Sequence, residues 1–357
     1  MRIALIGDAQ SPHLLKWARA LAASPEVELW VASSRGFLTE FDGVVPAKRR
    51  LALGAALSHA GGNVGLLRKL PSLGAWLRRV DADWLHAHYL TSHGTLAWLA
   101  KRLWHLRAQI VGSAWGSDIL LTPERSGAYR WLTRKVLRAC AVCTSDSQHM
   151  AERMRALGAG EVMTFPFGLE AMPPAAAGKT PWLFFANRGL EPLYRPELVL
   201  TLFAQIVSAQ PKARLIVAND GSLRAKLQSR ARQLGLGALV QFTGRLDAAE
   251  QAGYYDQAQW YLSLPESDSV AVSVLEAMAH GCIPLLSDLP ANRELVRNGD
   301  NGLIVGSSGG VEFQPLERML KRREQIAADN RDWVARNALF APAVARLLVR
   351  LRELSPA

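Results

Sequence analysis

Two doubly wound α/β domains joined by a linker are predicted by three features of this sequence. They are its length of 357 residues, a strand–helix alternation that runs twice, and a proline-rich break between the two runs. A chain this long exceeds one ordinary domain, so two are expected. Short apolar runs alternating with helical patterns are the signature of parallel sheets with helical crossovers.

In the first half the strand candidates are residues 3–6, 27–31, 84–88, 110–113, 141–144 and 162–165. Helical stretches such as 13–23 and 147–157 intervene. The second of these starts at Ser147, a favourable N-cap, and stops at Gly158. Residues 165–181 hold four prolines among small residues and break the pattern, as a linker does. The alternation then restarts, with strands at 182–186, 215–218, 240–243, 260–264, 283–286 and 303–305. A last amphipathic helical stretch spans 333–354. The expected division is a first domain at 1–165, a linker at 166–181, a second domain at 182–330, and helices at 331–357 that pack back across the boundary. Two such sheets are expected to face each other across a cleft, with ligands beyond the carboxyl ends of the strands.

Hydrophobic residues make up 49% of the chain, enough for sizeable cores. No run approaches the ~18 apolar residues of a membrane span. The opening MRIALIGDAQ reads as a first buried strand, which places the protein in the cytoplasm. Three cysteines cannot form a disulfide framework, and Cys140 and Cys143 read as buried thiols because no second ligand pair accompanies them. The net charge of +11 is uneven, with +9 carried by residues 1–165 and +2 by the rest. A basic first half points to an anionic partner. The stretch 48–79 mixes basic residues with Leu66, Leu67, Leu70, Leu73, Trp76 and Leu77, and suits either an anionic bilayer surface or a core helix with a solvated basic face. Zinc-finger spacing, an RNP-like aromatic strand and an evenly basic helix are all lacking, so nucleic acid is not expected as a partner.

The most informative run is PESDSVAVSVLEAMAHGCIPLLSDLPANRELVRNGDNGLIV, residues 265–305. It leaves a strand, crosses a Ser/Asp-rich loop, and enters a helix that closes at Gly281 before the next strand. An acidic loop and a helix N-terminus thus meet at a strand's carboxyl end. Free N–H groups there suit a diphosphate, and nearby acids accept hydrogen bonds from sugar and ribose hydroxyls. Locally, Ser273-x-x-Glu276 also fits a capping box.

This run resembles the retaining glycosyltransferases of family 4, which have the GT-B fold. Asp268 and Glu276 stand at the family's seven-residue separation, followed by Ala277-Met278-Ala279 and Gly281. The resemblance implies that Glu276 binds ribose hydroxyls and that position 268, usually Glu in the family, meets the transferred sugar. It extends over nearly the whole chain. Arg188, after the strand at 182–186, resembles the arginine that contacts the donor diphosphate. The second basic position is occupied by Leu193, and Arg195 is the nearest substitute. Asp220-Gly221 and the run from Phe242 to Leu246 resemble turns bordering the base, with backbone contacts near Leu246.

In the first half, Gly7-Asp8 resembles the loop facing the acceptor, with His13 and Lys16 on the following helix. The resemblance makes this the acceptor-side domain. His86 and His88, in the run Asp83-Trp84-Leu85-His86-Ala87-His88, read as buried structural imidazoles. Asp81-Ala82-Asp83 precedes a strand instead of ending one, and is rejected as a metal motif; the family needs no metal or other cofactor. Where many members have His-Gly-Ser-Asp, this chain has Trp115-Gly116-Ser117-Asp118. An indole has only an N–H donor and cannot act as acid or base. Trp115 would stack on a sugar or donate to a hydroxyl, leaving Asp118 to position groups.

The implied partners are a nucleotide-sugar donor and a lipid-linked or saccharide acceptor, with an anionic membrane surface as a further contact. The implied reaction retains configuration: the acceptor attacks on the leaving diphosphate's face, and Arg188, Arg195 and a helix N-terminus stabilise the departing charge. The competing reading is a non-catalytic nucleotide-sugar-binding subunit of a glycan-assembly complex. An epimerase fits the acidic spacing less well, and Gly7-Asp8-Ala9-Gln10-Ser11 lacks the G-x-G-x-x-G of a dehydrogenase.

Overall fold

The computed structural model describes residues 1–55, 64–176, 178–310 and 312–355. The chain divides into two compact units, one formed by Met1–Phe165 with Phe340–Ala357, the other by Pro166–Leu339.

The first unit contains β1 (Arg2–Gly7), β2 (Glu28–Ser33), β3 (Arg50–Ala52), β4 (Trp84–His88), β5 (Gln109–Ser113), β6 (Val142–Ser145) and β7 (Glu161–Thr164). They form one parallel sheet in the order β3-β2-β1-β4-β5-β6-β7. Every residue of β4 is buried, as expected of a central strand covered on both faces. The short edge strand β3 lay outside the sequence prediction, because three residues with two of them half-buried leave no apolar run.

The second unit contains β8 (Thr180–Ala186), β9 (Arg214–Ala218), β10 (Val240–Gly244), β11 (Ala258–Ser263), β12 (Ile283–Ser287) and β13 (Leu303–Val305), ordered β10-β9-β8-β11-β12-β13 and parallel throughout. Along β11 the alternation separates two cores. Trp260 and Leu262 join the cluster with Phe184 and Phe203, whereas Tyr261 joins the one with Phe185 and Leu275.

Two sequence expectations need correction. The helical stretch at 333–354 is broken: one helix ends at Asn337 and the next runs Phe340–Leu354. Pro342 has no N–H to donate to the Ala338 carbonyl, and that carbonyl instead accepts from the Leu169 amide at 2.8 Å. Leu169 and Leu339 form an isolated bridge at the same place. Residues 166–181 are anchored within the second unit, where Arg331 donates to the Pro173 carbonyl at 3.0 Å, and the last two enter β8. In the stretch 48–79, of which residues 56–63 lie outside the described residues, Leu66, Leu70, Leu73, Trp76 and Leu77 face the core of the first unit. Leu67 remains 42% exposed beside the exposed Arg68 and the half-buried Lys69, the core-helix arrangement that is one of the two readings of this stretch. Among the described residues no helix is long and apolar enough to cross a membrane.

Helix Phe340–Leu354 belongs to the first unit through Phe340, whose ring meets Trp17 edge-on at 4.8 Å, and through Arg350, which pairs with Glu161 at 2.7 Å. Gly168 is required at the break, since a Cβ there would enter the Ala338 carbonyl oxygen. Gly168→Ala is predicted to lower unfolding stability by about 1–3 kcal/mol. Gly253→Ala, mid-helix with open space around its Cα, should raise it by about 0.5–1 kcal/mol. Denaturant titration of both variants checks the opposite signs.

Candidate functional site

In a doubly wound sheet, ligands lie outside the carboxyl ends of the strands where the crossover direction reverses. The strand orders place that point between β1 and β4 in the first unit, and between β8 and β11 in the second. The chain leaving those strands carries Gly7-Asp8, His88-Tyr89, Asn187-Arg188 and residues 264–268. Sequence-predicted residues therefore collect at both switch points.

In the second unit the helix Val272–Ala279 follows the acidic loop. Its N-cap is Ala271, with no side-chain cap. Ser273 lies inside the helix, so the capping box that offered a local explanation of Glu276 does not form. The Ser273 hydroxyl instead accepts from Arg188 Nη1 at 3.2 Å. Glu276 Oε2 accepts from the Tyr255 hydroxyl at 3.1 Å. That hydroxyl also reaches the Ser273 carbonyl at 3.2 Å and accepts from Asn187 Nδ2 at 2.8 Å. Tyr261 donates to Asn187 Oδ1 at 2.7 Å, and Gln251 takes the other contact of the Asn187 amide. Burial holds both tyrosine pKa values far above the ordinary range, so both remain donors.

Arg188 Nη2 pairs with Asp268 Oδ2 at 2.6 Å. Its guanidinium lies 4.5 Å from the centre of the Tyr194 ring. Its Nε is buried without a hydrogen-bond partner among the described residues. Burial raises the Asp268 carboxyl above its usual range, against the pull of Arg188 and the Ser269 amide. The predicted phosphate contact and the predicted sugar contact thus touch each other. Arg195 is placed differently. Its Nε and Nη2 donate to the carbonyls of Leu264 and Pro265 at 3.0 and 3.1 Å, while the Glu266 amide donates to the Leu193 carbonyl at 2.9 Å. Arg195 fastens two loops together and is correspondingly less available to a diphosphate.

Leu246 packs half-buried against the core containing Tyr261. It lies between Gly244, at φ +81° and accepting from the Asn219 amide at 2.6 Å, and Asp247, which opens the next helix with a true capping box. A recess of ≈ 370 Å³, its mouth included, opens beside Arg188 and Tyr194 on the opposite face of the sheet from Tyr261. Leu190, Val199, Leu227 and Phe242 give it an apolar lining unsuited to a diphosphate.

In the first unit a Cβ at Gly7 would strike the Leu14 side chain at 2.6 Å. Asp8 pairs with Arg35, whose Nε donates to Oδ2 at 2.9 Å. Lys16 is buried, with its ammonium 4.9 Å from the Phe340 ring centre, while His13 is exposed and lies 5.0 Å from Trp115, ring to ring. Asp118 is 1% exposed, and its two oxygens accept from the amides of Leu90 (2.8 Å) and Trp115 (2.9 Å). Burial raises its pKa to about 6 despite those bonds. Trp115 Nε1 donates to His88 Nδ1 at 3.0 Å. His86 bonds Ser113 Oγ at 2.7 Å, and His93 Nδ1 lies 2.7 Å from the His88 carbonyl. Burial pushes His86 down to about 3 and His93 to about 4, with His88 also well below its usual value. Asp81 and Asp83, the rejected metal motif, accept from Arg107 and from the Arg2 amide.

The sequence reading missed Tyr194, Tyr255, Tyr261, Arg35, Tyr89 and His93, and considered Ser273 only as a cap. Alternation along β11 would have turned Tyr261 toward the Glu276 helix. The Asp247 capping box sets the phase that brings Tyr255 inward. The rest depend on loop geometry.

Residues 2–147 match the family model described as "Glycosyl transferase 4-like", and residues 170–312 match "Glycosyl transferases group 1". D-inositol 3-phosphate glycosyltransferase 2 of Catenulispora acidiphila is 26% identical over 98% of this chain and 92% of its own. Phosphatidyl-myo-inositol mannosyltransferase of Mycobacterium tuberculosis is 29% identical over 64% and 61%. The structure of Anabaena HepE in complex with UDP-glucose superposes with a TM-score of 0.78 at 14% identity, covering 99% of this chain and 100% of that one. Sucrose-phosphate synthase from Thermosynechococcus elongatus gives 0.80 at 16% identity, covering 99% of each. The fold is GT-B.

Three buried neutral imidazoles make the first unit acid-sensitive. Their folded pKa values lie below the unfolded value of about 6.5, so the stability they allow is lost as pH falls through 6.5 toward 4. Asp118, raised, acts oppositely between about 4 and 6. At pH 5 His86 and His93 are each expected to cost about 2 kcal/mol, with a cost of the same sign from His88, against a gain of about 1 kcal/mol from Asp118. Denaturation of the first unit should therefore shift to lower denaturant between pH 7 and pH 5, and an unchanged midpoint would contradict this.

Proposed function

The chain belongs to the family-4-type glycosyltransferases, and from that premise we propose that it moves a sugar from a nucleoside-diphosphate sugar to a glycan or lipid-linked acceptor with retention of configuration. The observation that carries the reading is the placement of Glu276. Its carboxylate is held from behind by a buried tyrosine hydroxyl at a strand-end switch point, and its own helix makes no use of it as a cap. A carboxylate fixed this way accepts two vicinal ribose hydroxyls. Solved neighbours carrying UDP-glucose or UDP support a nucleotide-sugar donor.

Arg188 and the N-terminus of helix Val272–Ala279 receive the diphosphate, a guanidinium and backbone N–H groups being matched to its oxygens. Asp268 then exchanges Arg188 for hydroxyls of the transferred sugar. Arg195 holds the loops that carry both. The acceptor oxygen forms the new bond to the anomeric carbon on the face that the diphosphate leaves, and the acceptor proton passes to the departing phosphate oxygen. Orientation and stabilisation of the leaving charge supply the catalysis without a protein base or a metal. In the first unit, Gly7, Asp8, His13 and Trp115 border the acceptor, and Asp118 positions the backbone around it. Relatives named as transferases and synthases do not favour a binding-only subunit.

Purified protein incubated with UDP-, GDP- and ADP-sugars should release the matching nucleoside diphosphate, and silence with every donor across a range of acceptors would contradict the reading. Glu276→Gln should weaken binding of the preferred nucleoside diphosphate by about 10- to 100-fold, the value of charged hydrogen bonds. Calorimetry measures it, and unchanged affinity would remove Glu276 from the donor site.

A further inference from the structure

Trp115 follows β5 at its carboxyl end, and the local geometry restricts what its ring can offer. An indole carries one hydrogen-bonding group, its N–H donor. Here that donor is engaged by His88 Nδ1 at 3.0 Å. Trp115 therefore has no polar atom left to offer a ligand and acts through its ring. The ring is half-buried and lies nearly parallel to Tyr89, at 15° with centroids 5.9 Å apart.

Tyr89 is itself unusual. It is 40% exposed and sits at φ +62°, a left-handed conformation that costs a non-glycine residue about 1–2 kcal/mol. The two rings share one anchor. Asp118 accepts from the Trp115 amide with one oxygen and from the Leu90 amide, next to Tyr89, with the other. A single buried carboxylate thus fixes both backbones, and His88 fixes the rotation of the indole. The exposed His13 ring borders the same surface at 5.0 Å.

We propose that Tyr89, stacked on Trp115, presents a preorganised aromatic platform on which a pyranose ring of the acceptor stacks, with Asp118 and His88 as its positioning residues. The apolar C–H face of a sugar lies on the outer face of the Tyr89 ring while Trp115 backs that ring, and the sugar's hydroxyls stay directed to water and neighbouring polar groups. Aromatic surface carried on a fixed backbone binds with little entropy loss. The identification of the ligand as an acceptor sugar rests on the transferase reading. The stacking surface itself does not.

The test uses the full-length protein labelled with 5-fluorotryptophan. Trp115→Phe assigns the Trp115 fluorine resonance among the eleven tryptophans. Methyl α-D-glucopyranoside, methyl α-D-mannopyranoside and methyl α-D-galactopyranoside are titrated in turn. The Trp115 resonance should shift saturably with at least one of them. Tyr89→Asn, which removes the ring but suits the left-handed backbone, should weaken that binding about 3- to 10-fold while raising thermal stability. No shift with any glycoside would overturn the platform, as would equal affinity in Tyr89→Asn. A shift produced only by phosphatidylglycerol vesicles would overturn it too, assigning the surface to lipid. Calorimetry with UDP and GDP on the same samples reports the donor site separately, so loss of the transferase reading is distinguishable from loss of the platform.

Discussion

Asn187, Tyr255 and Tyr261 meet in the second unit where β8 and β11 diverge, and their amide and hydroxyl groups are paired with one another inside the core. A buried polar group without a partner costs several kcal/mol, so this network has few alternative arrangements. Its outward end is the Tyr255 hydroxyl, which reaches both Glu276 and the Ser273 carbonyl. The network thereby fixes the first turn of helix Val272–Ala279 and the direction of its acidic side chain together. Arg188, the residue after Asn187, is joined to the same helix through Ser273 and to the preceding loop through Asp268. A change in the buried amide would thus displace Arg188 and Glu276 at once, the groups proposed to hold phosphate and ribose.

The first unit solves a similar problem with different chemistry. Its switch point is lined by neutral imidazoles, an indole and one carboxylate, almost all withdrawn from water. Asp118 does there what the tyrosines do in the second unit: it ties the chain leaving one strand to the chain leaving its neighbour. Trp115 places a non-titrating ring beside those imidazoles. Arg195 and Asp268 are likewise held by internal contacts. The first holds loop carbonyls, and the shorter acid at 268 reaches Arg188 at 2.6 Å.

Much of the fold was legible because parallel strands buried on both faces write themselves as apolar runs. β4 and β13 have the bounds that the runs suggest, and the ends of most others move by one or two residues. The edge strand β3 was illegible for the converse reason. The break at Ala338 was missed because the amphipathic pattern continues through it, although Pro342 has no N–H for the Ala338 carbonyl, which accepts from Leu169 instead. At the site, spacing and the resemblance singled out Asp268, Glu276 and Arg188 as candidates. Neither indicated that Arg188 pairs with Asp268 or that Tyr255 bonds Glu276, because such contacts join residues far apart in sequence.

The claim on which the rest depends is that the Glu276 carboxylate receives the nucleoside sugar of the donor. A crystal structure with the preferred nucleoside diphosphate tests it most directly. The account predicts both ribose hydroxyls within hydrogen-bonding distance of Glu276, the Tyr255 contact intact, and Arg188 turned from Asp268 to a phosphate oxygen. A nucleotide bound elsewhere, with Glu276 and the Arg188–Asp268 pair unaltered, would contradict it.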